Sequence, residues 1–364
     1  MKKNILIVDD SALMRKVLSD IVISDERFQV VAVATNGVEA LSLIKQGDIS
    51  IDAILLDLNM PRMNGIELLI ELKKIGFNKN IIIVSTVAKA DAKETILALE
   101  LGAFDFVTKP ETFMELIDRS FSDKLLASLS SATEVQCINI DISKQKSTKY
   151  SKSRTNKLRK TQASSYRPDD HIFNKIVALA CSTGGPKALN TIIPTLPENL
   201  DASILIVQHM PEGFTKSLAD RLNEVSSLRV KEAEDNEIIR KGTIYIAKGG
   251  HQMRVKKGSE GYYLAVTKEP ARKGLLPCAN IMYESLVDTA IDHITCVVLT
   301  GMGNDGTDGI SKLKQNKNIY VIAQNEETCT VYGMPKAIKD AGLVDEEVAL
   351  NDVSDAIIKN VGVY

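Results

Sequence analysis

The sequence predicts two doubly wound parallel α/β domains in tandem, joined by a disordered linker. Three observations lead to this prediction. Short apolar runs alternate with helical patterns up to about residue 122, and the alternation resumes after Ile172. Between these regions Ser, Lys, Thr and Gln dominate, and apolar residues are sparse. A chain of 364 residues is too long for one ordinary core, so we expect a first domain at 1–122, a linker at 123–171 and a second domain at 172–364.

The first domain shows the clearest periodicity. Its apolar runs are typical of buried strands, and glycines separate them from helical patterns. We predict strands at residues 5–8, 29–34, 51–56, 81–84 and 104–107, with helices at 11–23, 38–45, 66–74 and 93–101. Strands that alternate with helices of this length form a parallel sheet covered on both faces.

The middle of the chain, residues 123–171, has too few apolar residues to bury a face. Lys and Arg crowd the part between residues 144 and 160. We favour a solvated hinge over a basic docking arm, because basic runs are common in linkers. After it, we predict strands at 175–180 and 203–208, helices at 188–195 and 214–223, and a Gly-rich, strand-rich stretch at 241–268.

Composition limits the function classes. The net charge of −2 gives no overall electrostatic attraction to nucleic acid or membrane, and no apolar run approaches the length of a membrane span. Two acids follow the first four apolar residues, so the N-terminus is typical of a first strand rather than a signal peptide. Five cysteines at no framework spacing indicate reduced thiols, and we expect a cytoplasmic protein.

Carboxylates follow two strands of the first domain. Asp9 and Asp10 come after the first predicted strand, and Asp57 after the third. Parallel strands place these groups at one edge, where mutual repulsion favours a hard cation such as Mg²⁺. Lys109 and Ser85, which follow other strands, would add a cation and a hydroxyl for a phosphate. One such Asp alone is more often a helix cap or turn residue.

A second set of reactive side chains follows strands of the second domain. Ser182, His209 and Asp305 each lie in a loop marked by Gly or Pro. Together they suit acyl transfer: a hydroxyl nucleophile, a base and a carboxylate that orients the base. The backbone N–H groups of Thr183 and Met302 are candidates for stabilising an oxyanion. The order Ser-His-Asp and the absence of a Gly-x-Ser-x-Gly motif exclude an ordinary α/β-hydrolase.

Other interpretations of these residues remain open. Ser182 to Pro186 alone could be a phosphate-binding turn at a helix start. The second domain could be a non-enzymatic binding module, or a hydrolase of small esters or amides. A DNA-binding output is disfavoured, because the domain lacks a helix-turn-helix signal and an overall basic surface.

The first domain resembles the response-regulator receiver domain, which has a flavodoxin-like fold. The matching residues are Asp9-Asp10, Asp57 to Gly65, Ser85 and Thr108-Lys109-Pro110. The resemblance implies phosphorylation by a chemotaxis histidine kinase. It implies the following roles: phosphoacceptor Asp57; Mg²⁺ ligands Asp10, Asp57 and the Asn59 carbonyl, with Asp9 nearby; switch or phosphate contacts Ser85, Phe106 and Lys109.

The second domain is similar to the catalytic domain of chemotaxis protein-glutamate methylesterases, the CheB family, which is Rossmann-like with three layers. The matching segments are Ser182 to Pro186, Gln208 to Thr215, Leu299 to Gly306 and Val331 to Pro335. The resemblance implies hydrolysis of glutamate methyl esters on the cytoplasmic helices of chemoreceptors, and deamidation of receptor glutamines in many members. It implies the triad Ser182, His209 and Asp305, with no cofactor for the esterase reaction.

The sequence departs from the family in two respects. Ala180-Cys181 stands where Gly-Ala is usual, and the linker is long. Strand alternation predicts that the Cys181 side chain points into the core, away from Ser182.

Overall fold

The computed structural model describes residues 1–86, 88–110, 120–134 and 175–364. The first domain is built on five parallel strands, in the order β2-β1-β3-β4-β5. Every strand predicted from an apolar run in this domain is present, displaced by at most two residues at either end. The strands are β1 Lys3–Val8, β2 Phe28–Ala34, β3 Ala53–Leu56, β4 Asn80–Ser85 and β5 Asp105–Thr108.

Helices cover both faces of this sheet, and polar caps fix where several begin. The side chains of Ser11, Asn36 and Asn64 each accept a backbone N–H from the first turn of the helix that follows. Asn64 also forms a capping box with Glu67. The helices are α1 Ala12–Ser24, α2 Gly37–Gln46, α3 Gly65–Lys74 and α4 Lys89–Leu101.

The predicted start of the linker was wrong. The chain from Ser120 to Glu134 forms helix α5, so residues 123–134 belong to the first domain rather than to a disordered segment. The helix has an apolar stripe that the sparse composition concealed: Phe121, Leu125, Leu129 and Ala132 are buried at helical spacing against the first sheet. The rest of the predicted linker, 135–171, lies outside the described residues.

The second domain contains a seven-stranded parallel sheet in the order β15-β14-β13-β6-β7-β10-β8. The three strands that lead to the candidate catalytic loops, β13, β6 and β7, are neighbours at its centre. The strands are β6 Lys175–Cys181, β7 Ser203–Gln208, β8 Arg229–Glu232, β10 Thr243–Ile246, β13 His293–Val298, β14 Ile319–Gln324 and β15 Glu346–Val348.

Helices pack on both faces of the large sheet, which gives the three layers expected. The helices are α6 Gly185–Ile192, α7 Phe214–Val225, α8 Ala279–Ser285, α9 Thr307–Asn316, α10 Met334–Asp340 and α11 Val353–Val361. No helix among the described residues is long and apolar enough to cross a bilayer.

The Gly-rich stretch of the second domain forms an element that the prediction of parallel sheets did not include. Strands β9 Glu237–Ile238, β11 Gln252–Gly258 and β12 Gly261–Thr267 make a separate antiparallel sheet. The tight turn between Gly258 and Gly261 reverses the chain, so β11 and β12 pair along their whole length.

Candidate catalytic and phosphorylation sites

The acidic cluster of the first domain forms at the carboxyl edge of the sheet, as the sequence predicted. Strands β1 and β3 are paired neighbours, so Asp9 and Asp57 emerge side by side. One carboxylate oxygen from each of Asp9, Asp10 and Asp57 lies within 4.8 Å of the others. Asp9 and Asp57 are buried, whereas Asp10 is exposed.

Lys109 neutralises part of this charge. Its Nζ lies 2.8 Å from Asp9 Oδ2 and 2.9 Å from Asp57 Oδ2. Burial works against the charged form of Lys109, but attraction to Asp57 and hydrogen bonds to both carboxylates outweigh it and raise its pKa. Burial raises the pKa of Asp57, which Lys109 only partly offsets.

The donor set fits a hard divalent cation. Among the described residues, Lys109 Nζ is the one donor that contacts buried Asp9 Oδ2. Three clustered carboxylates offer the oxygen ligands that Mg²⁺ prefers. The backbone N–H of Asn59 donates to Asp57, and the Asn59 side chain turns away to Asp91, at 3.0 Å.

The two predicted switch residues are in different surroundings. Ser85 is buried at the end of β4, where its Oγ accepts a hydrogen bond from Thr95 Oγ1 at 3.0 Å. Phe106 lies on β5 and packs against Phe214 of the second domain, with ring centroids 4.7 Å apart. The aromatic position of the first domain therefore lies in the contact between the domains.

The second domain brings Ser182 and His209 to adjacent strand ends. Cys181 pairs with Gln208 across β6 and β7, and the His209 N–H donates to the Cys181 carbonyl at 3.1 Å. The Ser182 N–H donates to the Thr300 carbonyl at 3.0 Å, which ties the nucleophile loop to the chain after β13.

His209 and Asp305 are in direct contact. His209 Nε2 lies 2.8 Å from Asp305 Oδ2. Because a carboxylate accepts hydrogen bonds, this contact assigns the proton to Nε2 and leaves Nδ1 as the basic ring nitrogen. Asp305 is 4% exposed. Burial alone would raise its pKa, but His209 and backbone donors lower it to about 2.

The residues that hold Asp305 were not identified in the sequence. Oδ1 accepts from Cys278 Sγ at 3.1 Å and from the Asn280 N–H at 3.0 Å, and Oδ2 accepts from the Ala279 N–H at 2.6 Å. The Asn280 side chain also accepts from the backbone of Gly306 and Gly309. The sequence signal was Pro277 followed by small and polar residues. This pattern indicates that a helix begins there, but not that its first residues contact Asp305.

Ser182 makes no hydrogen bond to His209 among the described residues. The two side chains lie at neighbouring strand ends, and such contacts often tighten only when substrate binds. Likewise, no described group accepts a hydrogen bond from the backbone N–H of Thr183 or Met302. Both N–H groups are therefore available to another acceptor, although their predicted role stays a prediction.

Cys181 lies where strand alternation placed it. Its side chain is fully buried, and burial raises the pKa of its thiol. Because only the thiolate is a good nucleophile, this arrangement disfavours a catalytic role for Cys181.

The first domain packs over the loops that carry the candidate site. Thr183 Oγ1 donates to Asp105 Oδ2 at 2.8 Å, one residue after Ser182. The Met302 side chain contacts Ser131 of α5, with 3.5 Å between Sδ and Oγ. Arg221 Nε on α7 donates to Glu100 Oε1 on α4 at 2.8 Å.

An aspartate cluster on one sheet and a Ser, His and Asp set on another define a response regulator whose output domain is a hydrolase-type enzyme. The chain belongs to the CheB methylesterase family. That family's model matches residues 177–357, and the response regulator receiver domain model matches residues 5–120.

Relatives match this chain over nearly the whole length of both sequences. A protein-glutamate methylesterase/protein-glutamine glutaminase of Halalkalibacterium halodurans is 42% identical over 364 residues, covering 98% of this chain and 97% of the relative. A protein of the same name, numbered 1, from Syntrophomonas wolfei is 38% identical, covering 98% and 99%. The solved catalytic domain of Thermotoga maritima CheB methylesterase is 39% identical with a TM-score of 0.50, covering 52% of this chain and 99% of that one.

Proposed function

We propose that this protein is a phosphorylation-regulated protein-glutamate methylesterase and protein-glutamine glutaminase. It hydrolyses glutamate methyl esters on chemoreceptors to glutamate and methanol, and so serves adaptation in chemotaxis. The observation that carries the proposal is the 2.8 Å contact between His209 and Asp305, at the strand end next to Ser182.

The chemistry follows from the arrangement of these side chains. His209 Nδ1 takes the proton of Ser182 Oγ, which attacks the ester carbonyl. Asp305 holds the ring and stabilises the imidazolium. The N–H groups of Thr183 and Met302 stabilise the oxyanion. His209 then protonates the departing methoxide, which leaves as methanol.

The acyl-enzyme is released by the reverse sequence of proton transfers. His209 removes a proton from water, and the hydroxide attacks the glutamyl ester of Ser182. Collapse of the tetrahedral adduct returns the proton to Ser182 and frees the glutamate side chain. With a glutamine substrate, the first leaving group is ammonia instead of methanol, and the second half is the same.

The first domain serves as the regulatory input. We assign Asp57 as the phosphoacceptor and Asp10, Asp57 and the Asn59 carbonyl as Mg²⁺ ligands, with Asp9 nearby. The cation, when bound, offsets the negative charge of the transferring phosphoryl group. Lys109 would contact the phosphate, and Ser85 and Phe106 would respond to it. The phosphodonor is a chemotaxis histidine kinase. The enzyme acts on the receptor helices in the cytoplasm.

Regulation acts through the contact between the domains. The unphosphorylated receiver covers the loops of Ser182 and Asp305, and phosphorylation of Asp57 loosens that contact. The hydrogen bond from Thr183 to Asp105 supports this assignment. A truncated chain that begins near Ile172 is expected to be more active than the unphosphorylated full chain; equal or lower activity would argue against occlusion.

The test is methanol release from methylated chemoreceptor fragments. Wild type, Ser182→Ala and Asp57→Asn are compared, each with and without acetyl phosphate and Mg²⁺. We expect release by wild type to rise with the phosphodonor, to stay low in Asp57→Asn and to vanish in Ser182→Ala. No release under any condition would favour a non-enzymatic binding module instead.

A further inference from the structure

Gln208 connects the two turns that carry the nucleophile and the base. It is the last residue of β7 and is 2% exposed. Its Nε2 donates to the Ser182 carbonyl at 3.0 Å and to the His209 carbonyl at 3.1 Å. Both protons of the amide nitrogen are therefore used on catalytic loops, and neither faces solvent.

The other end of the amide is fixed by Cys181. The Cys181 thiol donates to Gln208 Oε1 at 3.0 Å. An amide has one acceptor end and one donor end, so a thiol donor on Oε1 and two carbonyls on Nε2 leave a single consistent orientation.

The surrounding chain is shaped to admit the Gln208 side chain. A Cβ atom on Gly185 would lie 2.0 Å from Gln208 Oε1 and 3.0 Å from Cys181 Sγ. No side chain fits at Gly185 while the amide occupies this position. The Gly185 N–H donates to the Ser182 carbonyl at 2.7 Å, so that carbonyl receives two hydrogen bonds.

These bonds orient the peptide between Ser182 and Thr183. A trans peptide is planar, with its C=O and N–H pointing in opposite directions, so fixing the carbonyl also fixes the N–H. Thr300 fixes the groups on either side of this peptide. Its carbonyl accepts a hydrogen bond from the Ser182 N–H, and its Oγ1 donates one to the Thr183 carbonyl at 2.9 Å. These hydrogen bonds therefore fix the direction in which the Thr183 N–H points.

We propose that Gln208 is a positioning residue that aims the Thr183 N–H at the oxyanion of the transition state, with the Cys181 thiol fixing the orientation of the amide. The proposal rests on the proposed function, in which Ser182 is the nucleophile and the Thr183 N–H stabilises the oxyanion. Gln208 donates to the main-chain carbonyls of Ser182 and His209 rather than to their side chains, so its effect passes through the Ser182–Thr183 peptide.

The test uses the full chain, phosphorylated with acetyl phosphate and Mg²⁺, acting on methylated chemoreceptor fragments. Gln208→Met keeps the length of the side chain and removes both donors. Loss of a direct oxyanion donor costs roughly 10²–10³-fold in kcat, so misaiming one should cost about 10-fold. We expect kcat to fall by about that factor while KM stays within twofold of wild type.

A second readout separates positioning from general destabilisation. A peptide boronate binds a serine nucleophile as a tetrahedral anion, so its affinity should fall by the same factor as kcat/KM. Thr295→Val is the matched control: it removes a buried hydrogen bond to Asn360 near the other end of β13. The control should lower thermal stability and leave kcat and boronate affinity unchanged.

Two further variants decide the case where Gln208→Met does not fold. Cys181→Ala frees Oε1 from its donor and should lower kcat about two- to threefold, whereas Cys181→Ser keeps a donor and should match wild type. Wild-type kcat in folded Gln208→Met, or in Cys181→Ala if the former does not fold, would overturn the proposal. Such a result with Ser182→Ala still inactive would leave the proposed function intact.

Discussion

Thr183 of the nucleophile loop donates a hydrogen bond from Oγ1 to Asp105 Oδ2 of the receiver, over 2.8 Å. Asp105 precedes Phe106 on β5, and Thr183 follows Ser182. One hydrogen bond therefore links the strand that carries the switch aromatic to the loop that carries the nucleophile. Burial raises the pKa of Asp105, and the bond from Thr183 offsets part of that rise.

Removing the Asp105 acceptor should raise the activity of the unphosphorylated enzyme. A hydrogen bond to a charged group contributes about 1.5–3 kcal/mol, so its loss should shift the docking equilibrium by about 10-fold or more. We expect Asp105→Ala to release methanol about 10-fold faster than wild type without phosphodonor. Asp105→Asn keeps a carbonyl acceptor for Thr183 and serves as the control, with a smaller increase. Equal basal rates for Asp105→Ala and wild type would refute a docking role for this bond.

The ion pair between Glu100 and Arg221 offers a charge-swap test of the same interface. Glu100→Arg and Arg221→Glu each place like charges in contact across it, so each should raise basal activity about two- to fivefold. Arg221 also pairs with Glu224, so Arg221→Glu should have the larger effect. The double swap restores opposite charges and should return the basal rate towards wild type.

The measurement is methanol release without phosphodonor for the four proteins of this cycle. Fully phosphorylated rates provide the control, because phosphorylation should make all four similar. Additive increases in the double variant, with no restoration, would mean that the two side chains do not interact in the docked state.

The free energy of unfolding should depend on pH through the ionisation of Asp305. Its folded pKa of about 2 lies below the ordinary 3.8. A carboxylate whose pKa is lower in the folded than in the unfolded protein stabilises the fold at pH values above its unfolded pKa. That stability is lost as the pH falls through the folded pKa. The shift corresponds to about 2 kcal/mol. We expect Asp305→Asn to lose about that much in urea unfolding at pH 5–8, and the difference from wild type to shrink below pH 4.

Asp305→Asn should also affect catalysis, independently of its effect on stability. An asparagine presents an N–H where His209 Nε2 needs an acceptor, which favours the wrong tautomer, so kcat should fall by roughly 10³-fold or more. A stability difference that stays constant down to pH 2 would argue against the depressed pKa, whatever the effect on kcat.

The sequence predicted those parts of the site that follow strands directly. Asp9, Asp57, Ser182 and His209 each come within two residues of a buried run, so parallel pairing alone brings Asp9 beside Asp57 in the first sheet and Ser182 beside His209 in the second. The support of Asp305 was not predictable in this way, because Cys278 precedes it by 27 residues and begins a different helix.

The same limit applies to the fold. Helix α5 was missed because its apolar stripe is spread thinly among serines, and only packing against the first sheet shows which residues it buries. The contacts of Phe106 with Phe214 and of Asp105 with Thr183 join distant segments, so no local pattern could predict them. Pairwise docking of two domains depends on surface shape, which periodicity does not record.

Cys278 gives the last prediction, because its thiol donates to the carboxylate that orients His209. Sγ lies 3.1 Å from Asp305 Oδ1, and burial with the nearby carboxylate raises the pKa of the thiol to about 12. Cys278 therefore stays a thiol at neutral pH and should resist iodoacetamide in the folded enzyme. Cys278→Ser keeps a donor and should retain kcat within twofold.

Cys278→Ala removes that donor and leaves the backbone donors of Ala279 and Asn280 in place. A weak thiol hydrogen bond contributes about 0.5–1 kcal/mol, so kcat of the phosphorylated enzyme should fall about two- to fivefold. The measurement is the initial rate of methanol release at saturating substrate. Identical kcat for Cys278→Ala, Cys278→Ser and wild type would show that the backbone donors alone hold Asp305, and that Cys278 only fills space at the start of α8.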